Sequence, residues 1–266
     1  MILPAIHGLI RRRILVNFRV DPAVMQRLLP EPFRPVLVDG AAMAGICLIR
    51  LDQVRYRPLP SWLGMSSENA AHRVSVRWAA PDGEERQGVY IPRRDSGSLV
   101  NHLVGGRLFP GEHHRAVFSV VEREGVIDLS MRSLDGEVSV QLQGRQCADL
   151  PDTSKFTCLQ AASDFFQRGA VGYSEKARRD RLDGLRLITK DWRVEPLAVD
   201  HVESSFFADR ALFPRGSVEF DCALLMRNIE HEWQRLPDLR ASEVPASSTW
   251  APRPRAAGVL PLGREG

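Results

Sequence analysis

The chain has 266 residues, and 36 Lys and Arg against 33 Asp and Glu give a formal net charge of +3. Apolar residues make up 44% and charged residues 26%, a balance typical of globular proteins that argues against a disordered chain or a membrane bundle. So small a net charge also argues against nucleic-acid binding, which needs a clustered basic face. Because Lys155, Lys176 and Lys190 are the only lysines, amine chemistry has three candidates.

The N-terminal segment gives no sign of export. Residues 1–18 contain a proline, a histidine and a run of arginines where a signal peptide needs an unbroken apolar stretch. No window approaches the roughly 20 apolar residues of a membrane span. We therefore expect a cytoplasmic protein without membrane contacts. Its cysteines are expected to stay reduced, and because no Cys or His has metal-ligand spacing, no metal is expected.

Turn and cap signals divide the first part of the chain into strands and one helix. Residues 13–20 are rich in β-branched and aromatic residues and predict a strand. Asp21-Pro22 then supplies an N-cap and a first-turn proline for a short helix. Asp39-Gly40 and Pro81-Asp82-Gly83 each separate two strand-like runs, which predicts two hairpins. The proline-rich stretch 56–65 between them is expected to be a loop.

The second part of the chain repeats short strand patterns around two helical patterns. Residues 98–104 predict a short helix ended by Gly105-Gly106, and residues 155–167 predict one longer helix. Strand patterns occupy 116–122, 126–132, 137–143, 185–202 and 217–226. Many short strands with few helices indicate an α+β, mainly β fold. We expect a strongly curved antiparallel sheet or barrel with a few peripheral helices.

Composition changes near residue 236. The segment 236–266 is dense in Pro, Ala, Ser and Arg and shows no periodicity. Such a segment buries too little apolar surface to offset its ordering entropy. We therefore predict one domain over residues 1–235 and a disordered tail over residues 236–266.

Several motifs of catalysis and cofactor binding are missing. The chain has no G-x-S-x-G, G-x-x-x-x-G-K or H-E-x-x-H string, and its Gly-Gly pair does not make a dinucleotide fingerprint. The sequence therefore gives no support to a serine hydrolase, a P-loop protein or a zinc protease, and no cofactor is expected.

Polar residues interrupt the apolar strand patterns at three places. Glu68, Asn69 and His72 bring a carboxylate, an amide and an imidazole within five residues, which suits positioning a small substrate and moving a proton. Arg93 and Arg94 follow a strand and have the geometry to clamp a carboxylate. Taken singly, each cluster is also explained by a turn or by pairing with surface acids. Together they resemble the polar groups at the mouth of a pocket.

The third place is His113-His114, at the start of a strand. Neighbours on a strand point to opposite faces, so at most one of these histidines faces a given pocket, and we select His113. The run Arg11-Arg12-Arg13 is interpreted as a solvated or paired face of an edge strand.

Four long strings resemble a known family. They are ENAAHRVSV, GVYIPRRDSGSLVN, GGRLFPGEHH and SSFFADRALFPRGSVEFDCALL. They are similar to the YqjF-like family of uncharacterised proteins, which is associated with the acetoacetate decarboxylase superfamily. The resemblance covers residues from about 13 to 234. It implies an acetoacetate decarboxylase-like fold, and it is the only ground for expecting homo-oligomers.

The resemblance also assigns roles to residues. LGMSSENAAHRVSV resembles the segment that holds an active-site glutamate in acetoacetate decarboxylases, which places that role on Glu68. An arginine ahead of the first strand in those enzymes falls on Arg11. YIPRRDSG resembles the segment with the Schiff-base lysine and its basic neighbour, so those positions are Arg93 and Arg94.

Arginine at these positions removes the amine that the decarboxylase reaction requires. A guanidinium stays protonated and is not a useful imine-forming nucleophile, so acetoacetate decarboxylase activity is not expected. We predict a pocket for a small oxo acid or another carboxylate, with Arg93 and Arg94 as clamp and Glu68 as acid or base. Arg11, Asn69, His72 and His113 are expected to assist binding. Whether lyase-like chemistry follows is left open.

The alternative is a non-catalytic ligand-binding or interaction module. In that case Arg93, Arg94, Asp95 and Glu68 form a structural ion network inside the sheet.

Overall fold

The computed structural model describes residues 6–56, 59–80, 83–98, 111–175 and 181–240. These residues are dominated by one large, strongly curved sheet. No helix among them is long and apolar enough to cross a membrane. The mainly β, α+β class predicted from the sequence is confirmed.

The sheet has 13 strands. They are β1 (Ile6–Val20), β2 (Arg34–Pro35), β3 (Leu37–Val38), β4 (Ala41–Tyr56), β5 (Met65–Ala79), β6 (Glu85–Ser96), β7 (His113–Arg123), β8 (Val126–Ser133), β9 (Ser139–Gln146), β10 (Val171–Glu175), β11 (Arg181–Thr189), β12 (Glu195–Ser204) and β13 (Val218–Arg240). The helices are α1 (Pro22–Leu28), α2 (Leu159–Arg168) and α3 (Ser205–Ala208), with a short 3-10 turn at Ser61–Leu63.

Short local sequence patterns determine helix α1 and the hairpin of β3 and β4. Asp21 caps α1 by accepting hydrogen bonds from the backbone N–H groups of Ala23 and Val24, both at 2.9 Å. Asp39 and Gly40 both have positive φ, 44° and 74°, and they join β3 to β4 as the hairpin dipeptide predicts. Caps and turns of this kind depend only on neighbouring residues, so sequence alone identifies them.

The strand pairings close two rings that share five strands. The larger ring runs β6, β7, β8, β9, β12, β13, β1, β4, β5 and back to β6. The smaller ring runs β10, β11, β13, β1, β4, β5, β6 and back to β10. Most pairs are antiparallel, as expected, but β6 pairs in parallel with both β10 and β7. Since successive side chains of a strand point to opposite faces, each shared strand faces both rings.

Each ring has its own apolar core. The core on the larger ring's side includes Ile14, Ile46, Tyr90, Leu129 and Leu225. The core on the smaller ring's side includes Leu15 and Leu224 and is covered by the phenylalanines of α2. The alternation from Ile14 to Leu15 shows how one strand supplies both cores.

Some element boundaries differ from the prediction. The predicted strand 185–202 is two strands, β11 and β12, and the predicted helix 155–167 begins later, at Leu159. Strand β13 continues to Arg240, so residues 236–240 of the predicted tail pair with β11. The rest of that tail, residues 241–266, and the predicted helix over residues 98–104 beyond Ser98 lie outside the described residues.

Candidate functional site

A cavity of about 130 Å³ lies inside the smaller ring and is partly open to solvent. Its walls come from shared strands, from β10 and β11, and from the residues that follow α2. Most of the lining is apolar and includes Ile49, Leu51, Val89, Ile91, Leu185, Leu187 and Trp233. An apolar pocket of roughly 150 Å³ accommodates benzene, so this cavity suits a ligand of a few carbon atoms.

Three arginines from three strands enter this cavity: Arg13 on β1, Arg73 on β5 and Arg94 on β6. Cys47 on β4 lies between them. The Arg13 Nε donates to the Cys47 Sγ at 3.2 Å, and Cys47 is also close enough to influence the pKa of Arg73 and of Arg94. The three guanidiniums therefore share one small space.

A bulge in β6 directs Arg94 into the cavity. Tyr90 pairs with Val74 and Arg93 pairs with His72, so three steps along β6 match two steps along β5. Ile91 and Arg94 consequently both line the cavity, whereas strict alternation would put Ile91 and Arg93 on one face.

The Arg94 guanidinium makes one long hydrogen bond to the described residues. Its Nε donates to the Ser174 Oγ at 3.3 Å. Burial lowers the pKa of Arg94 to about 10, against the opposing influence of Cys47 and Asp183. Arg94 thus remains a cation at neutral pH, and its other N–H groups make no hydrogen bond to the described residues.

Arg73 is the most buried of the three, with 4% of its surface exposed. It donates to the Asn17 Oδ1 at 2.5 Å and lies 4.8 Å from the centre of the Phe166 ring. Its Nε has no hydrogen-bond partner among the described residues. Burial lowers the pKa of Arg73 to about 10. Arg73 is therefore a buried, charged side chain that is incompletely satisfied.

Arg13 is half-buried and has no acidic partner among the residues that the structure describes. Besides Cys47 it contacts the Met226 Sδ at 3.9 Å and lies 5.8 Å from the centre of the Trp192 ring. Within the described part of the chain, no carboxylate forms an ion pair with Arg13, Arg73 or Arg94. The nearby Asp95 and Asp183 carboxylates are paired with Arg93 and Arg235.

Arg93 lies on the opposite face, in an ion network on the larger ring's side. It donates to Asp95 at 2.9 Å, to Asp135 at 2.8 Å and to Glu137 at 2.7 Å. Burial acts to raise the pKa of Asp135, but hydrogen bonds from Ser133 and from the Glu137 backbone, with Arg93, hold that pKa well below its usual range. This geometry does not support the expected joint clamp, because Arg93 binds three carboxylates on the other face and only Arg94 of the two lines the cavity.

Glu68 is likewise engaged away from the cavity. It accepts a hydrogen bond from Arg12 at 2.7 Å, and Arg12 also binds Glu122 at 2.5 Å. Arg227 pairs with Glu122 at 2.8 Å and extends this network. Burial raises the pKa of Glu68, with Arg12 opposing. Because Glu68 does not line the cavity, it is not placed to act on a ligand there.

His72 is fully buried on the same face as Glu68. Its ring lies 4.6 Å from that of Phe206, and neither ring nitrogen has a hydrogen-bond partner within the described ranges. Burial, and then the charge of Arg93, lower the pKa of His72 to about 3. His72 does not line the cavity, so its predicted contact with a ligand there is not supported, and it is a neutral core residue.

This burial makes the protein sensitive to acid. The folded-state pKa of His72 lies below its unfolded value near 6.5, so the unfolded chain binds a proton that the folded protein excludes. We expect His72 to contribute a loss of up to about 1.4 kcal/mol of unfolding free energy per pH unit below about 6.5. Urea unfolding at pH 7, 6 and 5 measures this. His72→Phe should flatten the dependence, while His201→Gln, at an exposed site, should leave it unchanged.

The remaining predicted residues divide between the cavity and the surface. Asn69 lines the cavity, where it donates to the Ser67 Oγ at 2.9 Å and accepts from the Ser96 Oγ at 2.7 Å. His113 also lines the cavity, and it lies opposite Arg94 in the register of the parallel strands β6 and β7. Arg11 is exposed and donates to Asp52 at 3.0 Å and to Asn228 at 3.1 Å, so its predicted role in the pocket is not supported.

Sequence reasoning missed Arg13 and Arg73. The sequence suggests that the run Arg11-Arg12-Arg13 is a solvated or paired face of an edge strand, but β1 lies between β13 and β4, Arg12 is buried and Arg13 enters the cavity. Period-two alternation from Asn69 through Ala71 would have identified Arg73. Among the described residues no group of three or more His, Cys, Asp or Glu could hold a metal ion.

Three solved structures have a fold similar to that of this chain. The acetoacetate decarboxylase of Legionella pneumophila has a TM-score of 0.55 at 11% identity, covering 88% of this chain and 87% of that one. An acetoacetate decarboxylase-like enzyme of Sphingomonas wittichii RW1 has a TM-score of 0.54 at 15% identity, covering 87% and 92%. The enduracididine biosynthesis enzyme MppR, complexed with pyruvate, has a TM-score of 0.55 at 12% identity, covering 91% and 93%.

The chain therefore has an acetoacetate decarboxylase-like fold, built around a cavity that arginines line. It belongs to the family DUF2071, described as an uncharacterized conserved protein (COG2071), whose model matches residues 10–224. No curated protein matches the chain.

Proposed function

We infer that the protein binds a small carboxylate in the cavity of the smaller ring, with a short oxo acid as the first candidate. The observation that carries this proposal is the set of three cavity arginines, Arg13, Arg73 and Arg94, whose described contacts include no carboxylate partner. Isolated buried charges are costly, and an anion that accepts their hydrogen bonds removes that cost.

Two further observations support a short oxo acid. The cavity of about 130 Å³ limits the ligand to a few carbon atoms, and its apolar walls suit the non-acidic end. MppR, a protein of the same fold, is complexed with pyruvate. In this proposal Arg94 is the principal contact to the carboxylate, with Arg13 and Arg73 beside it.

Thermal unfolding with and without pyruvate tests the proposal. A ligand that binds only the folded state at a hundredfold excess over its Kd adds about 2.7 kcal/mol, which raises Tm by about 5–10 °C in a chain of this size. Sodium chloride of equal ionic strength serves as the control. Failure of pyruvate and other short carboxylates to exceed the chloride effect would refute the proposal.

Schiff-base chemistry is not part of this proposal. Lys155 pairs with Asp39 at 2.7 Å and Lys190 with Glu230 at 3.3 Å, and neither lines the cavity. Lys176 lies outside the described residues. We expect that acetoacetate or pyruvate followed by borohydride leaves the protein mass unchanged. A mass increase that peptide mapping assigns to a lysine would contradict this expectation.

A non-catalytic binding module is the second candidate function. It is favoured by the positions of two carboxylates: Glu68 does not line the cavity and is bound by Arg12, and Asp95 lines it but is bound by Arg93. Following pyruvate with the protein by NMR separates the two candidates. Binding without any change in the pyruvate signals over many hours favours the module, and protein-dependent conversion favours an enzyme.

A further inference from the structure

The cavity carries more positive charge than one carboxylate balances. Among the described residues, its lining contributes the guanidiniums of Arg13, Arg73 and Arg94 and one carboxylate, that of Asp95. Both Asp95 oxygens accept hydrogen bonds from Arg93, at 2.9–3.2 Å, so this carboxylate is already paired with a cation on the other face. Three cations therefore remain in the cavity.

A second acid close to Arg94, Asp183, does not change this balance. Asp183 is close enough to influence the pKa of Arg94, yet its two oxygens lie 3.1 and 3.4 Å from an Arg235 nitrogen. In the part of the chain that the structure describes, the hydrogen-bond partners of the three cavity arginines are neutral: Ser174, Asn17 and sulfur atoms. The Arg73 Nε has no partner there, although Arg73 is only 4% exposed.

A single carboxylate offers about four acceptor positions, whereas three guanidiniums present many more donors, arranged as forks. A ligand with one carboxylate would leave two of the three cations without a counter-charge, at a substantial cost in free energy. Two carboxylates on one short chain would leave one, and they offer about eight acceptor positions to the three guanidiniums.

We propose that the ligand of this cavity is a dianion, a short dicarboxylate of three or four carbons, which Arg94, Arg73 and Arg13 bind together. This inference rests on the proposed function, since it specifies the charge of the same ligand. The apolar walls contact the carbon chain, and the length limit follows from the cavity volume of about 130 Å³.

Succinate and its monoamide, succinamate, test the charge directly because they have nearly the same shape and differ by one negative charge. Calorimetric titration of the full chain at constant ionic strength should show succinate binding at least tenfold more tightly than succinamate. Equal affinities would overturn the dianion proposal and leave the proposed function standing. Absence of binding by both, and by pyruvate, would overturn both.

The Arg13→Gln variant tests whether the preference for succinate over succinamate arises in the cavity. It should reduce the tenfold preference for succinate to about twofold, because one of the three cations is lost. Arg77→Gln, at a half-exposed arginine that pairs with Glu85, is the matched control and should keep the full preference. An undiminished preference in Arg13→Gln, with folding checked by circular dichroism, would contradict the assignment.

Discussion

The Arg93→Met variant should lose about 3–5 kcal/mol of unfolding free energy, because methionine cannot neutralise the three carboxylates that Arg93 binds. The Asp95 side chain has 0% exposure, so its charge would be left in the interior without a partner. Chemical denaturation at neutral pH measures the loss.

The Asp135 carboxylate also makes stability depend on pH. Because the folded structure holds the pKa of Asp135 low, part of the unfolding free energy is lost as pH falls through the acidic range.

A matched variant separates this effect from the general loss of an arginine. Arg145 pairs with Asp200 at 3.2 Å, and its side chain is 60% exposed, so Arg145→Met should change the stability by less than about 1 kcal/mol. If Arg93→Met proved as stable as Arg145→Met, the ion network would not be structural, and Arg93 would again be a candidate for a role in binding.

The fold could be predicted largely because its signals are local. The cap at Asp21, the hairpin at Asp39-Gly40 and the alternation of the strands each depend on neighbouring residues. The two closed rings could not be predicted in this way. They depend on pairings such as β11 with β13 and the parallel pair of β6 with β10, which join distant segments.

The site was predictable only in part, for two physical reasons. Arg94 and Arg93 are neighbours whose directions are set by a bulge in β6, and only the pairing of β6 with β5 reveals that bulge. Arg13 and Arg73 are far apart in sequence and meet because β1 and β5 both flank β4. Residue type identified a basic pocket, but the register of the strands decides which arginines line it.

The Arg94→Met variant should weaken ligand binding without a loss of stability, whereas Arg93→Met should lose stability. Arg94 has no ion pair with a described carboxylate, so its replacement by an apolar side chain should leave the unfolding free energy unchanged or about 1 kcal/mol higher. Ligand binding should weaken by about 2–5 kcal/mol, at least 30-fold in Kd, since a buried carboxylate loses its main charged donor.

Measuring both quantities on one preparation makes this expectation specific. The Tm shift with pyruvate or succinate should disappear in Arg94→Met, while it persists in Arg145→Met, whose arginine lies away from the cavity. A loss of stability in Arg94→Met as large as that of Arg93→Met would mean that Arg94 is a structural cation. Unchanged ligand binding would show that the anion does not occupy this cavity. Only the combination of normal stability with lost binding fits an arginine that is held for a ligand.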